Sequence, residues 1–377
     1  VLGESIMHHY LGLYGVESPF PEDGYQGGYV KDIAVQIKAE YGDKFVNDRD
    51  KNRQFFSDYG VNVIMNIIRK DLDAFDVRFD TWFSQKTLTR EVVDAALNEL
   101  KGKGYVFESE GAVWFKATAF GDEKDRVVVK SDGLYTYFAP DIAYHRIKFE
   151  RGFDRLINIW GPDHHGYIPR LKAAVQALGH DRSAIDVLIV QLATLYRNGE
   201  VLSMSTRKGE FITLEEVRKE VGKDVTRFFF LMRKLDSHLD FDLEVAKKQS
   251  SDNPVYYIQY AHARIWSIIE FSAANSGELD GANEDFSLLS QPEETELMRI
   301  ISQFPVYVRD SAVSLEPYYI ILYLNTLAAA FHNFYAKHKV ITDNVALSKT
   351  RLYLVNCVRI CLANGLRLLG VSLPKKM

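Results

Sequence analysis

The stretch Leu156-Ile-Asn-Ile-Trp160, followed directly by Gly161-Pro-Asp-His-His-Gly-Tyr167, decides how this chain is read. Five residues rich in β-branched and aromatic side chains make a strand, and Gly161 with Pro162 stops it. The spacing beyond predicts a helix over Tyr167 to Leu178 and a second apolar strand over Val187 to Gln191. Strand, loop, helix and strand at this distance make a parallel α/β unit. Ligands bind at the carboxyl ends of such strands, which is where Gly161 to Tyr167 stands.

Towards the N-terminus, helical spacing runs from Leu2 to Tyr41 with a break at Ser18 to Gly24, and again from about Asp50 to Leu72. The alternation in Val77-Arg-Phe-Asp-Thr-Trp-Phe83 predicts a strand. A short helix over Val92 to Leu100 follows. Gly104 to Phe107 and Ala112 to Phe115 then flank a turn as a hairpin, and Arg126 to Lys130 adds a strand. Towards the C-terminus, everything after about Leu214 has helical spacing except Ala273 to Glu294, which is polar, acidic and Gly-containing and so is expected to be a loop. The expected fold class is therefore α/β followed by all-α.

A chain of 377 residues with 47% hydrophobic and 26% charged residues buries substantial cores, which excludes disordered, collagenous and low-complexity classes. Two cysteines, Cys357 and Cys361, make no disulfide framework and are expected to pack reduced in a helix. Pro317 to Ala336 carries no formal charge, yet Asn325, Thr326, His332 and Asn333 within it suit a helix buried in a bundle better than a membrane span. No secretory signal is visible at Val1 to Ile6, and a cytosolic chain with no membrane partner is expected.

The net charge of −5 argues against indiscriminate coating of nucleic acid, but the charge is uneven. Glu270 to Glu316 holds ten acidic residues against Arg299 and Arg309, a balance of −8; Phe331 to Met377 holds eight basic residues against Asp343, a balance of +7. The second segment also carries Phe331, Tyr335 and Tyr353. Basic residues interleaved with aromatics suit a surface that pairs with phosphates and stacks on unpaired bases, although a solvated helix face over buried rings has the same composition.

Neither a GxxxxGK[ST] loop nor a GxGxxG fingerprint occurs. Three segments offer other chemistry. Asp163, His164 and His165 invite a divalent metal, but a metal phosphodiesterase needs more carboxylates, and Asp240-Phe-Asp242 sits in a region of helical spacing without a strand-loop context; no metal site is assigned. In Ser203-Met-Ser-Thr-Arg-Lys-Gly-Glu210, small residues beside Arg207 and Lys208 let backbone and side chains reach a polyphosphate. Tyr137 and Asp141, four apart near a strand-helix junction, make a socket for a cation: the carboxylate pairs with it and the ring packs on it. A helix cap is the plainer reading of Asp141 alone.

Taken in order, these segments resemble arginyl-tRNA synthetase, a class I aminoacyl-tRNA synthetase. The carrying residues are Thr136-Tyr-Phe-Ala-Pro-Asp-Ile-Ala-Tyr-His145, Gly161 to Tyr167, Met204-Ser-Thr-Arg-Lys-Gly-Glu210 in the place of the KMSKR loop, Asn253-Pro-Val-Tyr-Tyr-Ile-Gln-Tyr-Ala-His-Ala-Arg264, and the ending Gly365 to Met377. The loop departs from the general pattern, since Ser203-Met-Ser-Thr-Arg207 replaces both of its lysines. No His-x-Gly-His motif is present, and in the family it precedes the segment matching Val1, so the chain resembles a synthetase lacking its N-terminal portion.

The resemblance implies an incomplete Rossmann-like parallel-sheet catalytic domain with an insertion, then a helical-bundle anticodon-binding domain. Its boundaries would be 1–86 for the rest of the first catalytic half, 87–133 for a hairpin-rich connective insertion and 134–214 for the second half. A tRNA-stem contact segment at 215–250 and the anticodon domain at 251–377 would follow. It further implies Tyr137, Asp141 and His164 as arginine-binding residues. Gly161, Asp163 and His164, with Met204 and Ser205, would bind ATP. Met204, Ser205 and Arg207 would be the catalytic loop, and Phe331, Tyr335 and Met377 the tRNA contacts. L-arginine, ATP with Mg2+ as substrate and tRNA(Arg) are the implied partners of a monomer with no tightly bound cofactor. A synthetase-like tRNA-binding protein that is inactive alone is the alternative.

Overall fold

The computed structural model describes residues 1–202, 211–250, 252–276 and 285–377. They fall into two compact units, one of Val1–Arg78, Thr194–Lys234 and Asp240–Met377, the other of Phe79–Ala193 and Leu235–Leu239.

The first unit opens with α1 (Leu2–Gly12), α2 (Gly28–Tyr41) and α3 (Arg49–Ala74). Ile6, Tyr10, Val30, Ile33, Ile37 and Phe56 recur at helical spacing and are buried together. Gly3 lets α1 approach α3 closely, because a Cβ there would lie 2.7 Å from the Ser57 backbone nitrogen.

The second unit contains α4 (Arg90–Gly102), β1 (Val106–Ser109), β2 (Ala112–Phe115), β3 (Arg126–Val129), α5 (Phe138–Glu150), β4 (Leu156–Trp160), α6 (Ile168–Leu178) and β5 (Ile185–Ile189). Strands β1, β2 and β3 form an antiparallel meander. Its first turn, Glu110-Gly111, has φ of 50° and 73°, the pair of positive values that a tight hairpin with native twist requires. Strands β4 and β5 pair in parallel from Leu156 opposite Ile185 to Trp160 opposite Ile189. Leu171 and Val175 of α6 cover Leu156 and Ile185, while its Ala173, Ala174 and Ala177 face a larger core of Val93, Leu97, Leu100, Phe115, Phe138 and Ile142. The alanines allow one helix to bury two faces.

The chain then returns to the first unit with β6 (Ala193–Arg197), β7 (Glu200–Val201), α7 (Leu214–Val221), α8 (Lys223–Leu231), β8 (Leu239–Asp242), α9 (Leu243–Lys247), α10 (Pro254–Ser276), α11 (Pro292–Ser314), α12 (Tyr318–Lys337) and α13 (Val345–Leu368). The strand order is β7-β6-β8. Thr213 and Glu216 cap α7 reciprocally: the Thr213 hydroxyl accepts from the Glu216 backbone at 3.1 Å, and the Glu216 carboxylate accepts from the Thr213 backbone at 2.7 Å. Helix α12 packs on α10, α11 and α13. Its Leu324, Leu327, Ala328, Phe331 and Phe334 form a stripe with almost no exposure. Among the described residues no helix is long and apolar enough to cross a membrane.

The α/β and all-α parts therefore stand as the sequence implies, with local corrections. Val77 to Phe83 is not a strand, since it finds no strand to pair with; Phe79 instead packs on Trp82 at 5.1 Å, and Phe83 stacks on Tyr144 at 4.1 Å. Asp240-Phe-Asp242 lies in strand β8 rather than a helix, and Asp242 caps α9 by accepting from the backbones of Glu244 and Val245. Strand β5 starts two residues before the expected Val187, at Ile185. The loop expected over Ala273 to Glu294 is shorter at both ends, because α10 continues to Ser276 and α11 begins at Pro292, where proline suits a first turn closed by Gln291 and Glu294.

Candidate active site

The carboxyl end of β4 and the start of α5 bring the candidate residues of the second unit together. After Trp160 the chain turns at Gly161, where any Cβ would lie 2.8 Å from the Asp163 Oδ1, and runs through a 3-10 turn over Pro162–Tyr167 into α6. The expected pair Asp163 and His164 sits on this turn, exposed, with His164 Nε2 3.5 Å from Asp163 Oδ2. His164 also faces the Trp160 ring at 6.0 Å.

Tyr137 is the residue before α5, with 87% of its surface exposed. Asp141 lies in the first helical turn, where the helix dipole favours a negative charge. Its carboxylate accepts a hydrogen bond from the Tyr167 hydroxyl at 2.7 Å on Oδ2. Burial raises the Asp141 pKa, while the Tyr167 bond and the nearby charges of Lys148 and His164 oppose the rise. Burial also drives the Tyr167 phenol upward, with the carboxylate adding to the effect.

Beneath Asp141 runs a buried polar chain that the sequence reading missed. His145 Nδ1 donates to the Asp141 carbonyl at 2.7 Å. Asn158 of β4 donates its amide to His145 Nε2 at 2.9 Å, and the Asn158 carbonyl accepts from Lys148 Nζ at 3.1 Å. A carbonyl only accepts, so Nδ1 carries the ring proton and Nε2 is the acceptor. The imidazole is held neutral, its pKa pushed down to about 4, first by burial and then by the Lys148 charge. Lys148 in turn lies 4.4 Å over the Tyr144 ring, and burial lowers its pKa. The signal for this chain was a lone amide, Asn158, on the buried side of an otherwise apolar strand. Such a group must find partners.

The arrangement can hold a cation at a fixed carboxylate beside the mouth of a parallel sheet. The expected loop residues Met204, Ser205 and Arg207 lie outside the described residues. Asp163, His164 and His165 follow one another along the 3-10 turn; among the described residues no three His, Cys, Asp or Glu side chains gather as a metal-holding set.

In the first unit the three residues expected to contact tRNA differ in exposure. Phe331 is fully buried and stacked on Tyr335 at 5.9 Å, so its ring backs Tyr335 within the buried stripe of α12. Tyr335 is half-buried, with the Arg264 guanidinium 4.9 Å over its ring. Both Tyr335 and Arg264 line a cleft of about 600 Å³ with Lys337, His338 and Lys339. Met377 lines another, of about 490 Å³, with Lys247, Lys248 and Tyr256. The tail is fastened there by the Ser372 backbone donating to Asp224 at 3.1 Å and by His262 Nδ1 meeting the Pro374 carbonyl at 2.9 Å. Rings connect the two clefts in sequence: Tyr256, Tyr260, His332, Phe331 and Tyr335 follow one another at centroid spacings of 5.6 to 6.3 Å.

A parallel α/β unit with its polar site at a strand end, in a chain that ends in a helical bundle faced with rings, is the organisation of a class I aminoacyl-tRNA synthetase. Residues 29–234 match the family model for the class I (R) tRNA synthetase catalytic domain, and residues 258–377 match the DALR anticodon binding domain. The chain belongs to the arginyl-tRNA synthetases. It is 50% identical, over its whole length and 68% of the relative's, to a protein named arginine–tRNA ligase from Geobacter sp. strain M21, and 46% identical with the same coverage to one from Bacillus subtilis strain 168. A Campylobacter jejuni crystal structure described as an arginyl-tRNA synthetase superposes with a TM-score of 0.89 at 32% identity, covering 99% of this chain and 81% of that one. The Thermus thermophilus arginyl-tRNA synthetase shares the fold, with a TM-score of 0.74 at 21% identity, covering 99% of this chain and 74% of that one.

Proposed function

We propose that this chain carries out arginine–tRNA ligation, with Asp141 as the anchor for the arginine side chain. The carboxylate of arginine attacks the α-phosphate of ATP, giving arginyl-adenylate and releasing pyrophosphate. A terminal ribose hydroxyl of tRNA(Arg) then attacks the arginyl carbonyl, and AMP leaves. No covalent enzyme intermediate is needed, so the work of the protein is alignment and charge neutralisation.

The observation that carries this reading is Asp141 itself: a partly desolvated carboxylate at a helix start, held by Tyr167 and backed by a neutral histidine, faces the loop at the end of β4. A guanidinium meets such a group through paired, charge-assisted hydrogen bonds. Tyr137, exposed and four residues earlier, would add its ring, and His164 lies near enough to act on the carboxylate. Gly161 and Asp163 would line the adenosine side, where the backbone turns away from the sheet. Met204 and Ser205 would bind the Mg2+–ATP substrate, with Arg207 steadying its phosphates. In the helical part, Tyr335 and Met377 would meet the anticodon loop, with Phe331 holding Tyr335 from behind. The boundaries 1–86, 87–133, 134–214, 215–250 and 251–377, a monomeric state and a cytosolic location complete the proposal.

Arginine-dependent exchange of pyrophosphate into ATP, with tRNA(Arg) present, tests it. Exchange by this chain is expected. Retained tRNA binding without exchange would establish the alternative, a tRNA-binding chain inactive alone.

A further inference from the structure

Tyr167 has been given no part in choosing a ligand so far, yet its side chain is bonded to the Asp141 carboxylate. Its hydroxyl donates to Asp141 Oδ2 at 2.7 Å. Its ring is packed on three sides: the Phe138 ring meets it edge-on at 5.9 Å, Trp160 at 5.7 Å, and the Arg170 guanidinium lies 4.9 Å over its face. A ring so enclosed keeps its hydroxyl in one place. The main chain of Asp141 is pinned independently, by His145 on its carbonyl.

What stays soft in an aspartate with a fixed main chain is the last torsion, which turns the carboxylate plane and has broad wells. The Tyr167 bond removes that freedom. The carboxylate retains Oδ1 and the second lone pair of Oδ2, which suffices for a two-pronged donor. A guanidinium is a planar fork that needs its acceptor coplanar, whereas an ammonium is a compact point charge that meets a carboxylate at almost any angle. Locking the plane therefore helps one kind of cation and not the other.

We infer that Tyr167 is a positioning residue for arginine specificity: by fixing the plane of the Asp141 carboxylate, it favours a guanidinium side chain over an ammonium one. The inference rests on the reading of Asp141 as the arginine anchor.

The test is calorimetric binding of L-arginine to the full chain, with L-lysine measured by its competition against arginine, for the wild type, Tyr167→Phe and Asp141→Ala. Tyr167→Phe keeps the ring and its packing. It should weaken arginine about tenfold, the scale of one hydrogen bond to a charged group. Lysine should change less than about twofold, so the arginine-to-lysine ratio falls about tenfold, and ATP affinity and the thermal midpoint should hold. Unchanged arginine affinity in Tyr167→Phe, with a large loss in Asp141→Ala, would overturn the inference and leave the anchor standing. Equal losses for arginine and lysine, or a joint loss of arginine and ATP affinity, would also overturn it, since Tyr167 would then only shape the pocket or support the fold. No loss of arginine affinity in Asp141→Ala would remove the anchor itself and the inference with it.

Discussion

The start of α5 presents one carboxylate whose neighbours are engaged with one another; the helical bundle presents rings. Asp141, Tyr167, His145, Asn158 and Lys148 form a connected polar set in which each member is hydrogen-bonded to another. In the bundle, side chains near Tyr335 are engaged within the fold: Lys337 and the His338 ring both reach Glu293, at 2.6 and 2.9 Å, and the buried Arg351 pairs with the buried Glu294 at 2.7 Å. Those glutamates belong to the acidic stretch that looked like a separate feature of the sequence, so the −8 and +7 segments partly neutralise each other across α11, α12 and α13. The difference teaches that the first region, on the reading proposed above, would recognise by the orientation of a charge, and the second by partly exposed rings with charge at their rim.

The sharpest division inside the second region is between two rings that the sequence treats alike. Phe331→Ala removes a fully buried ring and should cost about 4 kcal/mol of stability in urea denaturation, the usual scale for emptying such a site. A loss below about 1 kcal/mol would mean that the ring is not core and that the contrast between Phe331 and Tyr335 is wrong.

The polar region has its own signature, in pH. The His145 pKa is lowered in the folded state to about 4, so the unfolded chain binds a proton near the ordinary histidine value that the folded chain refuses. The stabilisation is therefore complete above about pH 6.5 and drains away as the pH falls towards 4, by up to about 3 kcal/mol. Urea midpoints at pH 7, 5.5 and 4.5 should show this slope, and His145→Gln should flatten it. An equal slope in the variant would show that the network does not depend on a neutral imidazole.

Removing the centre of that region has a functional effect of slightly smaller size. Asp141→Ala should weaken arginine binding about a hundredfold, the scale of deleting one partner of a desolvated charge pair, with little change for ATP. Matching losses for both ligands would break the assignment of Asp141 to the side chain of arginine.

How much of this was legible depends on whether a residue advertises its partner. The strand Leu156 to Trp160 and its loop were readable, because a β-branched and aromatic run and a Gly-Pro stop are local properties. Val77 to Phe83 has a local strand pattern too, but a strand also needs a neighbour, which the sequence cannot supply. The Asp240-Phe-Asp alternation was hidden by the helical spacing around it, although Leu239 and Phe241 are its buried face. Tyr137 and Asp141 were singled out by their spacing, while Tyr167, the side chain bonded to Asp141, was passed over inside a conspicuous Asp-His-His run. Its bond to Asp141 spans 26 residues. Composition left Phe331 open between a surface ring and a buried one, and periodicity speaks for burial: Leu324, Leu327, Ala328, Phe331 and Phe334 follow the spacing of one buried helix face.

The smallest expected effect tests the aromatic region directly. Tyr335 sits at the end of the ring series, backed by Phe331 and covered on one side by Arg264, with its remaining surface turned to the cleft. A base stacked on such a ring contributes about 1 to 3 kcal/mol. Because Arg264 already occupies part of the ring, the lower end applies, and Tyr335→Ala should weaken tRNA(Arg) binding about tenfold at fixed salt. Tyr335→Phe should bind nearly as the wild type does, since stacking uses the ring and not the hydroxyl. Salt dependence separates this from charge: the slope of log affinity against log salt should be unchanged in Tyr335→Ala and shallower in Lys339→Ala, whose phosphate contact would release counterions. If Tyr335→Ala instead flattens the slope as Lys339→Ala does, the rings are a scaffold for cations, and the contrast between an orienting carboxylate and a stacking surface gives way to two sites that both recognise charge.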